Sequence, residues 1–333
     1  MKELFKPEDI ERKVILILRI LHESAVPLGA RVIARRMSER NVQLSERTVR
    51  YHLKIMDERG LTRLVGRRDG RVITEHGLNE ISDARVQDKI GLSISRIDIL
   101  SFKTTFDVKK KRGLVPVNIS FFPQKQFNDA MSVMKPVFQK KFAVSSRVAI
   151  AAAGKTLGDI VVPPGKVGLA TICSIVINSV LLKHGIPIDS KFGGILQMRK
   201  GESLRFVEVI HYAGSSLDPS EIFIRGKMTS VNQVVTDGEG KILANFREIP
   251  ALSRSLIDKI IDDFTKVGIH GVLSIGSIGH PVCQTHVDVN KIGMILIGGL
   301  NPVAAAYEKG FDVDNKAMST VMEYDALKDI EKM

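Results

Sequence analysis

Apolar residues recur at spacings of three and four in three successive stretches near the start of the chain. This period predicts three amphipathic helices, at residues 10–22, 30–39 and 46–59. Their inward positions are Ile10, Val14, Ile17, Leu18, Leu21, Val32, Ile33, Met37, Val49, Leu53 and Met56. Ser45 is placed to cap the third helix and Gly60 to end it.

Two short strands, residues 61–65 and 71–74, follow the helices and enclose a tight turn from Gly66 to Gly70. Three helices followed by such a hairpin predict a winged helix-turn-helix, whose third helix enters the major groove of DNA and whose wing reaches phosphate or the minor groove. A merely solvated third helix is the alternative interpretation. The predicted DNA-contacting residues are Ser45, Arg47, Arg50, Tyr51, Lys54, Arg67 and Arg68.

Charge supports this interpretation locally. Residues 28–72 hold 12 Lys and Arg against 5 Asp and Glu, whereas the net charge of +12 on the whole chain is spread more thinly. A basic segment attracts a polyanion, although charge by itself does not identify DNA.

The rest of the chain predicts a mixed α/β, strand-rich sensing domain, so the fold class is α+β or α/β behind a winged helix. We expect a DNA-binding domain at 1–85 and an effector-sensing domain at 86–333, with a connector near 75–95 and a possible sub-boundary near 161–168. The predicted strands are 116–122, 147–150, 204–212, 222–226 and 231–236, and the predicted helices are 125–137 and 253–267. A strand and a helix are also expected within 168–182.

A short pattern repeats in this second part. Lys166-Val-Gly168, Lys266-Val-Gly268 and Lys291-Ile-Gly293 each precede an apolar segment. Glycines before buried strands often allow a tight turn or a close backbone approach. The pattern therefore suggests repeated α/β units.

Several classes of protein fit the sequence poorly. Two cysteines cannot make a disulfide scaffold, which favours a reducing cytoplasm. The apolar run 167–182 is short and contains Thr, Ser and Asn, so we expect no membrane span. The glycine clusters match no dinucleotide or Walker pattern, and they are either turns or anion-binding nests.

Two chemical alternatives stay open. His280, Cys283 and His286 have a spacing that could contribute metal ligands, with His270 or Cys173 joining them, although a strand would turn 280 and 283 to opposite faces. Cys173 could instead be a nucleophile with a histidine base, but a cysteine in an apolar run is more often a buried hydrophobe. The candidate bases are His184, His211 and His280. We expect no metal site, no cofactor and no catalysis.

Five longer strings carry a resemblance to a known family. They are Cys173–Asn178, Gly214–Pro219, Met228–Val231, Phe246–Pro250 and Gly298–Pro302. Together with the winged helix they resemble NrpR, the archaeal repressors of nitrogen assimilation, along essentially the whole chain. The family joins a winged helix to one or two sensor domains, and this chain has length for one.

The resemblance implies a repressor that binds palindromic operator DNA as a homodimer and releases it when 2-oxoglutarate accumulates. It also implies that a second sensor-domain protein or nitrogen-signalling partner takes part. A dicarboxylate needs cations or N–H donors, and a bidentate arginine is the strongest choice. The predicted effector-binding residues are Ser174, Ser215, Ser216, Arg247 and Asn301. Arg247 could equally form a structural ion pair with Glu248 or another acid. A regulator that responds to a metal or to another metabolite is the alternative function.

Overall fold

The computed structural model describes residues 7–24, 26–40, 42–66, 70–83 and 91–332. The chain divides into two compact units, Met1–Lys89 and Ile90–Met333. The segment 161–168 lies inside the second unit. The predicted connector falls partly on residues 84–90, outside the described ranges.

The first unit is a winged helix-turn-helix, as the sequence predicts. Its helices are α1 (Pro7–His22), α2 (Ala30–Ser38), α3 (Glu46–Glu58) and α4 (Glu75–Asp83). Its hairpin consists of β1 (Thr62–Gly66) and β2 (Gly70–Ile73), which pair antiparallel. An isolated bridge between Leu28 and Arg71 adds a third short strand.

The core of this unit follows the predicted periodicity. Val14, Leu18, Ile33, Leu53 and Met56 pack into one buried apolar cluster with the other inward positions, although Ile10 and Val32 are only partly buried. The Ser45 hydroxyl accepts a hydrogen bond from the backbone N–H of Thr48 at 3.1 Å, which begins α3 as expected.

The second unit contains two five-stranded antiparallel sheets. The first sheet has the order β13-β3-β7-β4-β14 and the second the order β11-β12-β10-β8-β9. The strands of the first are β3 (Leu114–Pro123), β4 (Arg147–Ala152), β7 (Lys166–Ile172), β13 (Asp314–Glu323) and β14 (Lys328–Asp329). Those of the second are β8 (Asp189–Arg199), β9 (Glu202–His211), β10 (Gly240–Pro250), β11 (Val272–Ile275) and β12 (Lys291–Ile297). A small hairpin contains β5 (Thr156–Leu157) and β6 (Ile160–Val161).

Seven helices accompany these sheets in the described part of the second unit. They are α5 (Leu92–Lys103), α6 (Phe127–Gln139), α7 (Ile175–Lys183), α8 (Pro219–Arg225), α9 (Val231–Asp237), α10 (Arg254–Lys266) and α11 (Asn301–Glu308). Short 3-10 turns lie at Gln124–Gln126, Ala251–Ser253, Tyr324–Ala326 and Ile330–Lys332.

The second unit is built from two copies of one plan. Each copy runs strand, 3-10 turn, helix, two sheet strands, helix, strand; the first extends from β3 to β8 and the second from β10 to β13. The last strand of each copy pairs with the first strand of the other, β8 with β10 and β13 with β3. The two sheets therefore each contain chain from both copies.

In two of its three occurrences, the repeated Lys-X-Gly pattern marks equivalent positions in the two copies. Lys166 and Lys291 begin the equivalent strands β7 and β12. Lys266 instead ends α10, and Gly268 takes a positive φ of 75° just after it. Only glycine adopts that conformation without strain, so the third occurrence is a helix terminus rather than the start of a strand.

Two predicted strands are wrong. Residues 222–226 and 231–236 lie largely in the helices α8 and α9. Their β-branched residues favour a strand, but capping decides the outcome. Asp218 accepts hydrogen bonds from the N–H groups of Ser220 and Glu221, and Glu308 accepts those of Val231 and Asn232.

Candidate functional site

The outer face of α3 carries the basic side chains predicted to contact DNA. Arg47, Arg50, Tyr51 and Lys54 are exposed along the helix, and Ser45 is exposed at its cap. Arg50 is paired with Glu46 at 2.5 Å, an exposed pair that a phosphate or base could replace at little cost. Arg67 and Arg68 of the wing lie outside the described residues.

A carboxylate fixes the wing against the recognition helix. Asp57, near the end of α3, accepts hydrogen bonds from Thr62 at 2.6 Å and from Arg71 at 2.7 Å. Both donors belong to the hairpin, so these two hydrogen bonds hold the hairpin in a fixed position against α3. Arg71 is thereby a structural cation.

His52 is a feature of α3 that the sequence reasoning missed. Its side chain is 2 % exposed, and neither ring nitrogen has a hydrogen-bond partner among the described residues. Burial, with a smaller contribution from the charge of Lys13, lowers the pKa of His52. The ring is therefore a neutral core residue at neutral pH.

In the second unit, a small cavity lies where the two copies meet. Its volume is about 20 Å³, room for roughly one water molecule. It is lined by Asn118, Cys173, Ser174, Ile175, Tyr212, Asp218, Ser220, Asn245, Arg247, Gly299, Leu300, Ala317 and Met318. Polar side chains from both copies thus converge on one small space.

Equivalent positions of the two copies face this cavity. Asn118 and Asn245 each lie five residues before the proline that ends β3 or β10. Ser174 and Gly299 each lie just beyond the end of the equivalent strands β7 and β12. A Cβ at Gly299 would lie 2.7 Å from the Asn118 amide nitrogen, so a serine does not fit there.

The cavity asparagines are held by neighbouring polar groups. Asn245 donates to the Ser174 hydroxyl at 3.2 Å and accepts from the Tyr212 hydroxyl at 2.5 Å. Asn118 accepts from the backbone N–H of Met318 at 2.9 Å. These bonds fix the positions of the polar groups that line the cavity.

Arg247 supplies the positive charge at the cavity, and it is 1 % exposed. Its Nε donates a long hydrogen bond of 3.5 Å to Asn178, its Nη1 donates to the Phe246 carbonyl at 3.3 Å, and its guanidinium carbon lies 4.9 Å from the centre of the Tyr212 ring. Within the described ranges, no salt bridge joins Arg247 to a carboxylate. A buried cation with no carboxylate at salt-bridge distance is costly, which makes the cavity a candidate anion site.

The alternative of a structural Arg247–Glu248 ion pair is wrong. Adjacent residues of β10 point to opposite faces of the sheet. Glu248 lies 3.1 Å from Lys191 and accepts from the backbone N–H of Asp288 at 2.9 Å. The acid next to Arg247 in sequence is thus engaged elsewhere.

Asp218 brings a carboxyl group to the same cavity. Burial raises its pKa, whereas its hydrogen bonds from the start of α8 oppose that change. Asn118, Asn245, Tyr212, Asp218 and Ser220 were missed by the sequence reasoning. The two asparagines had a signal, since each is a polar residue within an apolar strand.

The five predicted effector residues separate into three groups. Ser174 and Arg247 line the cavity. Ser215 and Ser216 border a different, open depression of about 340 Å³. Asn301 is fully buried outside the cavity lining, where its amide accepts from Leu243 N–H at 2.8 Å and donates to Leu243 C=O at 3.0 Å. Asn301 joins α11 to β10.

The cysteine-nucleophile alternative lacks its required geometry. Burial raises the pKa of Cys173 to about 12, which disfavours the reactive thiolate. His184 bonds instead to the Val180 carbonyl at 2.8 Å, and no hydrogen bond joins Cys173 to a histidine in the parts of the chain described.

The metal-ligand alternative also lacks a cluster. His280 and His286 are exposed, and His286 lies 3.8 Å from Asp288. Over the described residues, no three His, Cys, Asp or Glu side chains are grouped so as to hold a metal ion. In the same residues, no helix has the length and apolar character needed to cross a membrane. The apolar run 167–182 is split between β7 and α7.

Each of the two units is similar to a known family of domains. Residues 90–329 match the NrpR regulatory domains NRD1 and 2, and residues 15–81 match the winged-helix domain of ribonuclease R. A crystal structure of a nitrogen repressor-like protein from Methanococcus jannaschii superposes with a TM-score of 0.62 and 26% identity, covering 72% of this chain and 99% of that one.

Individual relatives of the chain belong to the same family. The global nitrogen regulator NrpRI of Methanosarcina mazei is 40% identical over 96% of this chain and 98% of its own length. The global nitrogen regulators NrpR of Methanocaldococcus jannaschii and Methanococcus maripaludis are 33% and 32% identical over 97% and 95% of this chain, which spans only 56% and 54% of their lengths. With its winged helix and its regulatory domain, the chain belongs to the NrpR family of nitrogen regulators, a family of regulators rather than enzymes.

Proposed function

We propose that this protein represses nitrogen-assimilation genes by binding operator DNA, and that 2-oxoglutarate releases it by binding in the Arg247 cavity. The part of this proposal that concerns 2-oxoglutarate rests on one observation. The buried guanidinium of Arg247 has no carboxylate partner in the described residues. The family supports the regulatory role.

The DNA half rests on the exposed basic face of α3. A palindromic operator has two-fold symmetry, which a dimer of identical chains matches. The expected partners are therefore double-stranded operator DNA and a second copy of the chain. Specific contact comes from Arg47 and Arg50, because arginine pairs bidentately with guanine in the major groove.

The effector half rests on charge and hydrogen bonding. A carboxylate placed against Arg247 would supply the missing counter-ion, and Ser174, Asn118 and Asn245 offer hydroxyl and amide groups nearby. The ligand shifts the repressor only if it binds the DNA-incompetent arrangement more tightly, and the coupling is reciprocal. Operator DNA should therefore weaken 2-oxoglutarate binding by the same factor.

A gel shift with 2-oxoglutarate titrated against a fixed protein–DNA mixture tests this function. We expect the shifted band to disappear with 2-oxoglutarate but not with succinate or glutamate. Arg247→Met should retain the shifted band and lose the response, whereas Arg199→Met, at an exposed residue of β8, should respond normally. An Arg247→Met protein that still responds would remove the cavity from the proposal. A wild-type response to succinate instead would favour a sensor of another metabolite.

A protein partner is a separate proposal. Since two relatives are nearly twice as long as this chain, we propose that a separate sensor-domain or nitrogen-signalling protein completes the regulator. Affinity purification from nitrogen-replete cells should recover that partner. Full operator repression by the purified chain alone would contradict this requirement.

A further inference from the structure

We propose that Ser93 is a positioning residue that couples the Arg247 cavity to helix α5 through its hydrogen bond to the Leu217 carbonyl. This inference rests on the proposed function, since it concerns how the filled cavity is communicated along the chain. It adds a residue outside the cavity to the regulatory machinery.

The first step is that the cavity has to expand. Its volume of about 20 Å³ holds roughly one water, and a five-carbon dicarboxylate is several times larger. Asn118, Asn245 and Arg247 lie on strands β3 and β10, each paired on both sides within its sheet. Those walls resist displacement because moving them breaks two ladders of hydrogen bonds.

The segment between β9 and α8 forms one wall of the cavity and lies outside both sheets, although the backbone N–H of Tyr212 donates to the Lys191 carbonyl of β8 at 3.1 Å. It runs from Tyr212 to Asp218, and both of these residues line the cavity. Between them, Gly214–Leu217 border the open depression of about 340 Å³, and the Leu217 side chain is 59 % exposed. The segment thus has unoccupied space beside it into which it can move.

A second wall is tied to this segment. Ala317 and Met318 line the cavity at an irregular point of β13. The backbone N–H of Ala317 donates to the Glu221 carboxylate at 2.7 Å, and Glu221 belongs to α8, the helix capped by Asp218. Displacement of Asp218 therefore moves α8 and strains this bond to β13.

Charge gives the displacement a direction. A ligand carboxylate held by Arg247 would lie in the same small cavity as the Asp218 carboxyl group. Two carboxylates in a buried site repel each other, and burial already raises the pKa of Asp218, so a ligand carboxylate makes an ionised Asp218 at this position still less favourable. Movement of Asp218 and the residues before it away from Arg247 relieves this cost and also makes room for the ligand.

Helix α5 is attached to the moving segment by its first turn. Ser93 is 4 % exposed, and its hydroxyl donates to the Leu217 carbonyl at 2.7 Å. The same carbonyl accepts from Ser215 at 2.5 Å, so the segment and α5 share one acceptor. Arg96, one turn further along, is among the charges that lower the pKa of Asp218 and Glu221 against the larger, raising effect of burial.

The position of α5 in the chain gives this contact its consequence. The second unit begins at Ile90, and Ser93 is three residues beyond that point. The rest of α5 is anchored, because Ile97 and Leu100 are buried in the sensor core. A displaced Leu217 therefore acts on the first turn of α5, the part of the helix that lies nearest in sequence to the DNA-binding unit.

Ser93→Ala separates coupling from binding. Calorimetry should find 2-oxoglutarate affinity changed by less than about twofold, and operator affinity without ligand should change equally little. The factor by which saturating 2-oxoglutarate weakens operator binding should fall at least about fivefold. Ser93→Thr, which keeps the hydroxyl, should restore the coupling. Ser95→Ala, on the exposed face of the same helix, should leave all three quantities unchanged.

Hydrogen–deuterium exchange of the ligand-free protein gives a test that does not depend on the effector. Ser93→Ala should raise the exchange rate both in residues 92–97 and in residues 213–218. Ser95→Ala should raise it in neither of these two segments. An unchanged coupling factor, or unchanged exchange, would overturn the inference. If the wild-type protein ignores 2-oxoglutarate but the exchange changes as expected, the effector proposal fails and the Ser93–Leu217 connection stands.

Discussion

Asp57 on the recognition helix and Arg71 on the second strand of the wing form an ion pair of 2.7 Å that sets the wing against the helix. Both side chains are largely buried, with 29% and 22% of their surface exposed. Since Asp57 also accepts from Thr62, one carboxylate is bonded to both strands of the hairpin.

Replacing this carboxylate should loosen the winged helix. We expect Asp57→Ala to lower the free energy of unfolding of the first unit by about 2 kcal/mol, the range for hydrogen bonds to a charged group. Thermal unfolding measures the loss, and Glu58→Ala, at the exposed neighbour, is the control. Equal losses in the two variants would mean that the Asp57 contacts contribute nothing beyond a surface charge.

Arg50→Ala should weaken operator binding and leave the fold intact. Its Glu46 partner is exposed, so losing the ion pair costs little stability, whereas losing a base or phosphate contact costs about 1–3 kcal/mol of binding. Fluorescence anisotropy with operator DNA gives the affinity. Arg12→Ala removes the same charge from an exposed site on α1 and should bind nearly normally. Unchanged affinity in Arg50→Ala would refute the assignment of α3 as the recognition helix.

Acidification should destabilise the winged helix through His52. The folded-state pKa of this buried ring is lowered, so the unfolded chain takes up a proton first as pH falls below its ordinary value of 6.5. Stability is therefore complete above that pH and is lost as the pH falls towards the lowered, folded-state pKa. Thermal unfolding of the first unit at pH 7.5 and 5.5, in wild type and His52→Leu, measures this effect. A pH dependence as large in the variant as in wild type would assign it to other groups.

Cys173 should resist thiol reagents in the folded protein. It is 6 % exposed and its pKa is raised to about 12 by burial, whereas Cys283 is only partly buried. Alkylation at pH 8 followed by mass spectrometry should modify Cys283 alone, and urea should expose both. Rapid modification of Cys173 without denaturant would revive the nucleophile hypothesis.

Arg247→Met should abolish effector binding without destabilising the ligand-free protein. Removing a buried charge that has no counter-ion is neutral or stabilising, whereas breaking a buried salt bridge costs about 3–5 kcal/mol. Thermal unfolding without ligand distinguishes the two cases. A large loss of stability would show that Arg247 has a structural partner in the protein.

The sequence predicts the winged helix well because its signals are local. The period of apolar residues, the Ser45 cap and the Gly60 terminus all lie within the elements they define. The sensor is harder because its deciding contacts join distant residues. Helix α9 depends on Glu308, which is 77 residues from Val231, and no local pattern reports that contact.

The cavity shows the same limit. Arg247, Ser174 and Asp218 belong to family-like strings and line the cavity, whereas Tyr212 reaches the cavity only through the fold. Asn301 and Ser215 lie in similar strings and face elsewhere. A string of residues therefore locates a region of the structure, and the fold determines which of its side chains reach the cavity.

The exchange of end strands between the two copies has a consequence for stoichiometry. Ser120 and Arg247 each lie three residues before the proline that closes their strand, so they occupy the same position in the two copies. Two identical halves would bring two guanidinium groups to one central site. Fusion into a single chain lets the halves diverge, so that one keeps a cation and the other a neutral hydroxyl. Under the proposed function, each chain is therefore expected to hold one effector molecule in one orientation, and the proposed dimer two.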